Sequence, residues 1–193
     1  MVAAQLSGLT TTQVDALNTT QLGALSSKQL GSLSSTQLRS LNTLQVSLLD
    51  TAQVGGLSAN QVKALTTTQE APLSSRHLCA LSTAQINGLT SAQIANLSAT
   101  KQLSGFKSSQ IKTFSTAQLS GLSSDQIANL STDQLGALSA AHLASLTTSQ
   151  LAGLNKTQVA ALGTAQSAGL SSTQIAALSN DQVSVLGTAN IGK

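Results

Sequence analysis

Ser82-Thr83-Ala84-Gln85-Ile86-Asn87-Gly88-Leu89 is one unit of a repeat that runs through all 193 residues. Ser82 and Gln85 form Ser-x-x-Gln, the signature of a capping box. The serine oxygen accepts the orphan N–H of the third helical residue, and the glutamine side chain reaches back to the N–H of the cap. Ile86 and Leu89, three residues apart, fall on one helical face. The octad therefore predicts about one and a half turns of helix, opened at Ser82, closed at Leu89 and restarted at Thr90. Strict apolar alternation, the mark of a half-buried strand, is absent.

The same beat extends from Gln5 to Gln182. There are 24 octads, and Gln holds the marker place in 21 of them, with His77, His142 and Asn190 in the others. Four residues after the marker stand 21 Leu, plus Phe106 and Phe114. One residue after it stands Leu, Ile or Val everywhere except at Glu70 and Ser167. Five after it, 20 of 23 residues are Ser, Thr, Asn or Asp; Lys107, Gly163 and Gly187 are the exceptions. A single continuous helix is excluded. Eight residues at 3.6 per turn rotate the apolar stripe by about 80° per repeat, so it would wander over every face. Helices this short are marginal alone, and their stability has to come from stacking on neighbouring repeats. The chain therefore reads as an all-α solenoid of very short capped helices, forming a single array over 1–193. A β-solenoid stays open as the rival fold.

Odd and even octads differ, counting Gln5 as the first. Odd octads favour Leu after the marker, whereas nine of twelve even octads carry Val or Ile. The glycines three after the marker (Gly8, Gly56, Gly88, Gly105, Gly121, Gly153 and Gly169) are all odd. Two before the marker, odd octads favour Thr and even ones Ser. This alternation suggests two octads, 16 residues, per coil, with odd helices stacked on odd and even on even. About 12 such coils at about 8–10 Å each would give a rod on the order of 100 Å long. Gly, Ala and Ser in the third column would allow close helix approach.

Composition narrows the function. Charged residues are 8%, against about 25% in ordinary domains. A net charge of +3 over this length is too dilute for a nucleic-acid footprint, and the chain has almost no aromatic residues on which bases could stack. No apolar run approaches a membrane span. The opening Met-Val-Ala-Ala-Gln-Leu already belongs to the first octad, so no signal peptide is visible. Disorder is excluded because the apolar residues are numerous and strictly periodic. Cys79 is the lone cysteine, which rules out an internal disulfide framework.

The irregular places read as packing events. Glu70 and Pro72 interrupt the ninth octad, either as repeat drift, the favoured reading, or as a binding notch. One residue is inserted near Lys101, creating a local defect over 98–114, and Phe106 and Phe114 follow as cavity repair. His77 and His142 are substitute capping residues. They lie eight octads apart and share no metal; Cys79 adds no more than a weak local site beside His77. The acids Asp15, Asp50, Glu70, Asp125, Asp133 and Asp181 make no dyad or triad. No catalytic, cofactor-binding or metal-ligating residue is assigned, no cofactor is expected, and the chain is read as non-enzymatic.

The run 114–131, Phe-Ser-Thr-Ala-Gln-Leu-Ser-Gly-Leu-Ser-Ser-Asp-Gln-Ile-Ala-Asn-Leu-Ser, resembles the Leu-[Ser/Thr]-Thr-x-Gln-[Leu/Ile/Val]-x-x-Leu tracts of very large bacterial surface or secreted proteins, often described as adhesin-like. The resemblance implies a spacer or stalk at the cell surface or outside it. Open array ends imply a second role, head-to-tail or lateral self-association into a filament, with the chain itself as partner. The alternative is a display module presenting Ser/Thr columns to carbohydrate, a cell surface or ice.

Overall fold

The computed structural model describes residues 2–186. The expectations at Gly187, Asn190 and Ile191 lie outside these. Among the described residues the chain forms 22 α-helices, one 3₁₀ turn at Leu103–Gly105 and no strand. The helices are four to six residues long, one per octad, and the β-solenoid is thereby excluded. The chain divides into two compact units, Met1–Leu97 and Ser98–Lys193, and the boundary falls at the inserted residue. Each unit is a short-helix solenoid.

Each helix starts as its capping box dictates. In the first unit, Ser82 is extended (φ −73°, ψ 162°) and its side chain accepts from the Gln85 N–H. Gln85 Oε1 accepts the Ser82 N–H at 2.7 Å. In the second unit, Ser123 and Gln126 repeat the arrangement, again at 2.7 Å. The two apolar columns point into the core. Ile86, Ile94, Ile127 and Leu135 are fully buried, and Leu89, Leu97, Leu130 and Leu138 nearly so. Where a cap has no acceptor, half the box survives: the Lys107 and Gly163 N–H groups still donate to Gln110 and Gln166 Oε1 at 2.7 and 2.8 Å.

The coil is longer than the alternation suggested. In the first unit, Thr83–Gly88 packs on Ala59–Ala64, and Ser75–Ala80 on Thr51–Gly55; in the second, Ser124–Ala128 packs on Thr148–Ala152. Every one of these partners is three octads away. Side-chain bonds between coils span 28 to 31 residues, so a coil takes between three and four octads rather than two. Odd helices therefore pack on even ones, and this explains the alternation. A Cβ at Gly56 would sit 2.6 Å from Ser27 Cβ, one at Gly88 2.7 Å from the Ala59 oxygen, one at Gly153 3.3 Å from the Ser124 oxygen and one at Gly169 2.8 Å from Ala140 Cβ. The glycine of an odd octad thus meets the first helical residue of an even octad, which is Ser or Ala. Thr is left to helices that no glycine covers, as at Thr11 and Thr43.

The insertion stretches one box rather than destroying it. Gln102 Oε1 accepts the Ser98 N–H at 2.8 Å across four residues instead of three, and a 3₁₀ turn follows. Phe106 and Phe114 are both buried. Their rings meet edge to face, centroids 5.4 Å apart, and fill the core beside the irregular turn as expected for packing repair.

The glycine contacts set a clear contrast. Gly88→Val should lower stability by about 1–3 kcal/mol, because the Ala59 backbone cannot yield. Gly136 has nothing within 4 Å of its Cβ position, and Gly136→Ala should raise stability by about 0.5–1 kcal/mol. Urea unfolding of both variants checks the pair; a Gly88 variant as stable as the parent would sink the close-approach reading.

Candidate functional site

The structure concentrates its specific chemistry in one repeated joint, made by the marker glutamine. The Oε1 of Gln85 caps its own helix, while its Nε2 donates to the carbonyls of Leu57 at 2.8 Å and Val54 at 3.0 Å, four octads earlier. Gln93 does the same to Leu65 and Val62 at 3.0 and 3.1 Å. In the second unit, Gln150 reaches Leu122 and Leu119 at 2.5 and 3.0 Å, and Gln174 reaches Leu146 and Leu143 at 2.7 and 3.0 Å. One planar amide thus starts a helix and finishes another.

The joint answers a backbone problem. The last carbonyls of a helix have no intrahelical donor, and many helices resolve this with a left-handed residue after the last turn. No described residue has a positive φ. Val54 O accepts from the Leu57 N–H at 3.3 Å, and the Gln85 amide takes its remaining capacity. The glutamines are accordingly buried from Gln37 onward, as at Gln53, Gln85, Gln134 and Gln150, whereas Gln5, Gln13 and Gln21 are exposed. The first four octads, which include the half-buried Gln29, have no octad four places before them in the given sequence.

The two histidines act as capping substitutes. His77 Nδ1 accepts the Ser74 N–H at 3.0 Å, and His142 Nδ1 accepts the Ser139 N–H at 3.2 Å. Accepting at Nδ1 requires a neutral ring protonated at Nε2. Burial holds the His142 pKa below its ordinary value, which favours that form. Cys79 is a half-buried thiol. Among the described residues no three His, Cys, Asp or Glu side chains converge, and Asp125 and Asp133 lie in the first turns of their own helices.

Glu70 is an interior residue rather than the rim of a notch. It is 2% exposed, and Val54, Val62, Leu65, Leu73 and Leu78 are among the residues that enclose it around a small cavity. This burial pushes its carboxyl from 4.5 up to about 8, against an opposing pull from the Gln93 side chain. Pro72 has no N–H to continue the turn, and the helix there is cut to Thr67–Glu70. Ser167, the other exception in this column, is also buried and bonds back to the Gly163 carbonyl at 3.2 Å.

The column two before the marker is covered only in part, and its threonines Thr19, Thr51 and Thr83 are exposed. Gly56 and Gly88 cover Ser27 and Ala59 in the first unit, and Gly169 covers Ala140 in the second. No described helix is long and apolar enough to cross a membrane.

The ALTTAQ repeat family model matches the chain five times, over residues 24–59, 71–99, 99–132, 128–164 and 159–193. The matches take in the histidine octads and the inserted residue. No curated protein matches the chain.

Two outcomes follow from this chemistry. Gln85→Glu keeps the capping acceptor but turns a buried donor into a carboxylate facing two carbonyls, and should cost about 2–4 kcal/mol. Gln13→Glu, exposed at its position, should stay within about 0.5 kcal/mol of the parent; equal effects in denaturant titrations would refute the two-ended joint. For Glu70 the folded pKa is raised, so the unfolded chain binds fewer protons between about pH 4.5 and 8. Its contribution is fully present below pH 4.5, falls as pH rises and levels off above about 8. Glu70→Leu should remove that slope and gain on the order of 2–4 kcal/mol near pH 8, read from urea midpoints across the pH range.

Proposed function

The chain belongs to the ALTTAQ repeat family, and from that premise we propose that it is a non-enzymatic structural array, the material of an extracellular stalk or of a self-assembling filament. The observation that carries this reading is the glutamine joint. Its donor and acceptor lie four octads apart, so the array can be lengthened one octad at a time with the same bonds at every step. Nearest-neighbour solenoids of this kind serve as spacers because length is set by repeat number alone.

Two further observations support a structural role. The recurrent polar side chains are committed to backbone: Ser82 and Gln85 to a helix start, and Gln85 also to a helix end. The most buried acid, Glu70, lies among leucines rather than at a surface. Placement at a bacterial surface or in the secreted fraction rests on the resemblance of run 114–131 to tracts of large surface proteins. The display alternative is weakened where glycine covers the Ser/Ala column. It keeps the exposed threonines such as Thr11, Thr19 and Thr51 as its possible surface.

Electron microscopy of the purified chain at rising concentration tests the proposal. Uniform fibres would support the filament form, and discrete particles that never assemble would support the stalk. Thermal hysteresis, or saturable binding to one glycan on an array, would overturn the structural reading in favour of display.

A further inference from the structure

Three departures from the octad fall within eight residues of the first unit: Glu70 in an apolar column, Pro72 two residues later, and His77 in the next marker place. Each loosens the array in its own way. Pro72 brings no N–H to extend the helix before it, which ends at Glu70. The next helix, Ser75–Ala80, is capped through His77 Nδ1, but among the described residues His77 Nε2 makes no bond back to an earlier coil. The flanking markers do make that bond. Gln69 donates to Leu38 and Leu41 at 3.0 and 2.8 Å, and Gln85 to Val54 and Leu57 at 3.0 and 2.8 Å. Ser75–Ala80 is therefore held on Thr51–Gly55 by packing without the side-chain weld.

Glu70 lies inside this loosened stretch. Its cavity is closed by Leu73 and Leu78 of the stretch itself, and by Val54, Val62 and Leu65 of earlier octads. The free volume is about 10 Å³, room for no more than about one water and too little to hydrate a carboxylate. The helices packed on Thr67–Glu70 are Thr43–Ser47 and Ser91–Asn96, and neither carries a titratable side chain. On the helices that supply cavity residues, Lys63 and Arg76 are exposed, while Asp50 and His77 are engaged in their own caps. The polar group beside Glu70 is the Gln93 side chain. Its Nε2 has two protons, and these already serve Val62 O and Leu65 O at 3.1 and 3.0 Å. A carboxylate can draw on that amide only by weakening a weld, so ionisation and loosening act together.

We propose that segment 66–81 is a proton-operated latch, closed while Glu70 is a neutral acid and opened locally when its carboxylate is delivered to water. Opening releases the Glu70 proton to solvent, bares Leu73 and Leu78, and frees the half-buried Cys79 thiol. The sign follows from the two states. In the open segment Glu70 ionises at its ordinary value of 4.5, and in the closed one burial holds its proton up to about 8. The opening equilibrium therefore rises with pH between these values and is flat outside them. Opening stays local, because faults in such an array touch only neighbouring octads.

Hydrogen–deuterium exchange of the 193-residue chain, read by mass spectrometry as protection factors that divide out the base-catalysed intrinsic rate, tests the latch. Between pH 5 and 8, protection in 66–81 should fall by roughly a hundredfold or more, while residues 147–162 of the second unit hold theirs. Cys79 labelling, divided by the rate of the unfolded chain at the same pH, should rise in step. Glu70→Gln keeps the shape but cannot ionise, and should abolish the pH dependence in 66–81. Glu70→Leu takes its place if that variant loses helical circular dichroism. His77→Gln supplies an amide able to make the missing weld, and should raise protection at both pH values with the slope unchanged. Protection in 66–81 that ignores pH in the parent, or that falls equally in the Glu70 variant, would overturn the latch. So would an equal fall in 147–162, which would mean global unfolding.

Discussion

Everything in this fold depends on a primary amide that bonds in two directions. A helix of four to six residues is nearly all ends, with more orphan N–H and C=O groups than internal bonds. Its N-terminus is satisfied locally by the cap and the marker glutamine. Its C-terminus receives the glutamine Nε2 of a later octad, as when Gln85 reaches Val54 and Leu57. Without that second bond, the Leu57 carbonyl would lose the amide that reaches it and Val54 O would keep only the long Leu57 N–H bond at 3.3 Å, a cost of about 1–3 kcal/mol per unsatisfied group. The amide therefore welds successive coils as well as starting helices.

Packing follows from this offset. Glutamine side-chain bonds join octads four apart while helix faces meet at three apart, so a coil holds a non-integral number of octads. Like octads bond to like through glutamine, and unlike octads press face to face. Both relations preserve a two-octad alternation in sequence without any coil of two octads. The pairs Gly56 with Ser27 and Gly88 with Ala59 show how tightly the second relation is enforced.

The local half of the design was legible. Ser82 and Gln85 lie within four residues, and their chemistry has one economical reading, so helix starts, helix lengths and both core columns follow from the octad. The coil was not legible from alternation, because parity is blind to whether neighbours sit two, three or four octads apart. The deciding signal was a correlation between columns 29 residues apart, small at Ser27 and Ala59 where glycine follows at Gly56 and Gly88. A second trace was the amide itself. Glutamate would serve a capping box as well as glutamine, and the near-exclusive choice of Gln already implied a donor in use elsewhere. The burial of Glu70 was hidden for the opposite reason: a core column predicts position, while charge predicts exposure, and here position prevailed.

The exceptions show which half of the joint is indispensable. Lys107 and Gly163 remove the cap acceptor, yet the marker still accepts their N–H groups. Ser98 and Gln102 keep that bond across an extra residue. At His77 and His142 the imidazole replaces the amide, and again Nδ1 accepts the cap N–H. A neutral imidazole is among the few side chains that offer an acceptor and an N–H donor on one rigid plane, as the amide does. The array thus tolerates loss of the cap oxygen, loss of register and even a buried carboxyl at Glu70, because each fault touches only neighbouring octads. At every described fault a planar acceptor still takes the N–H that opens the helix, and the chain can continue from there.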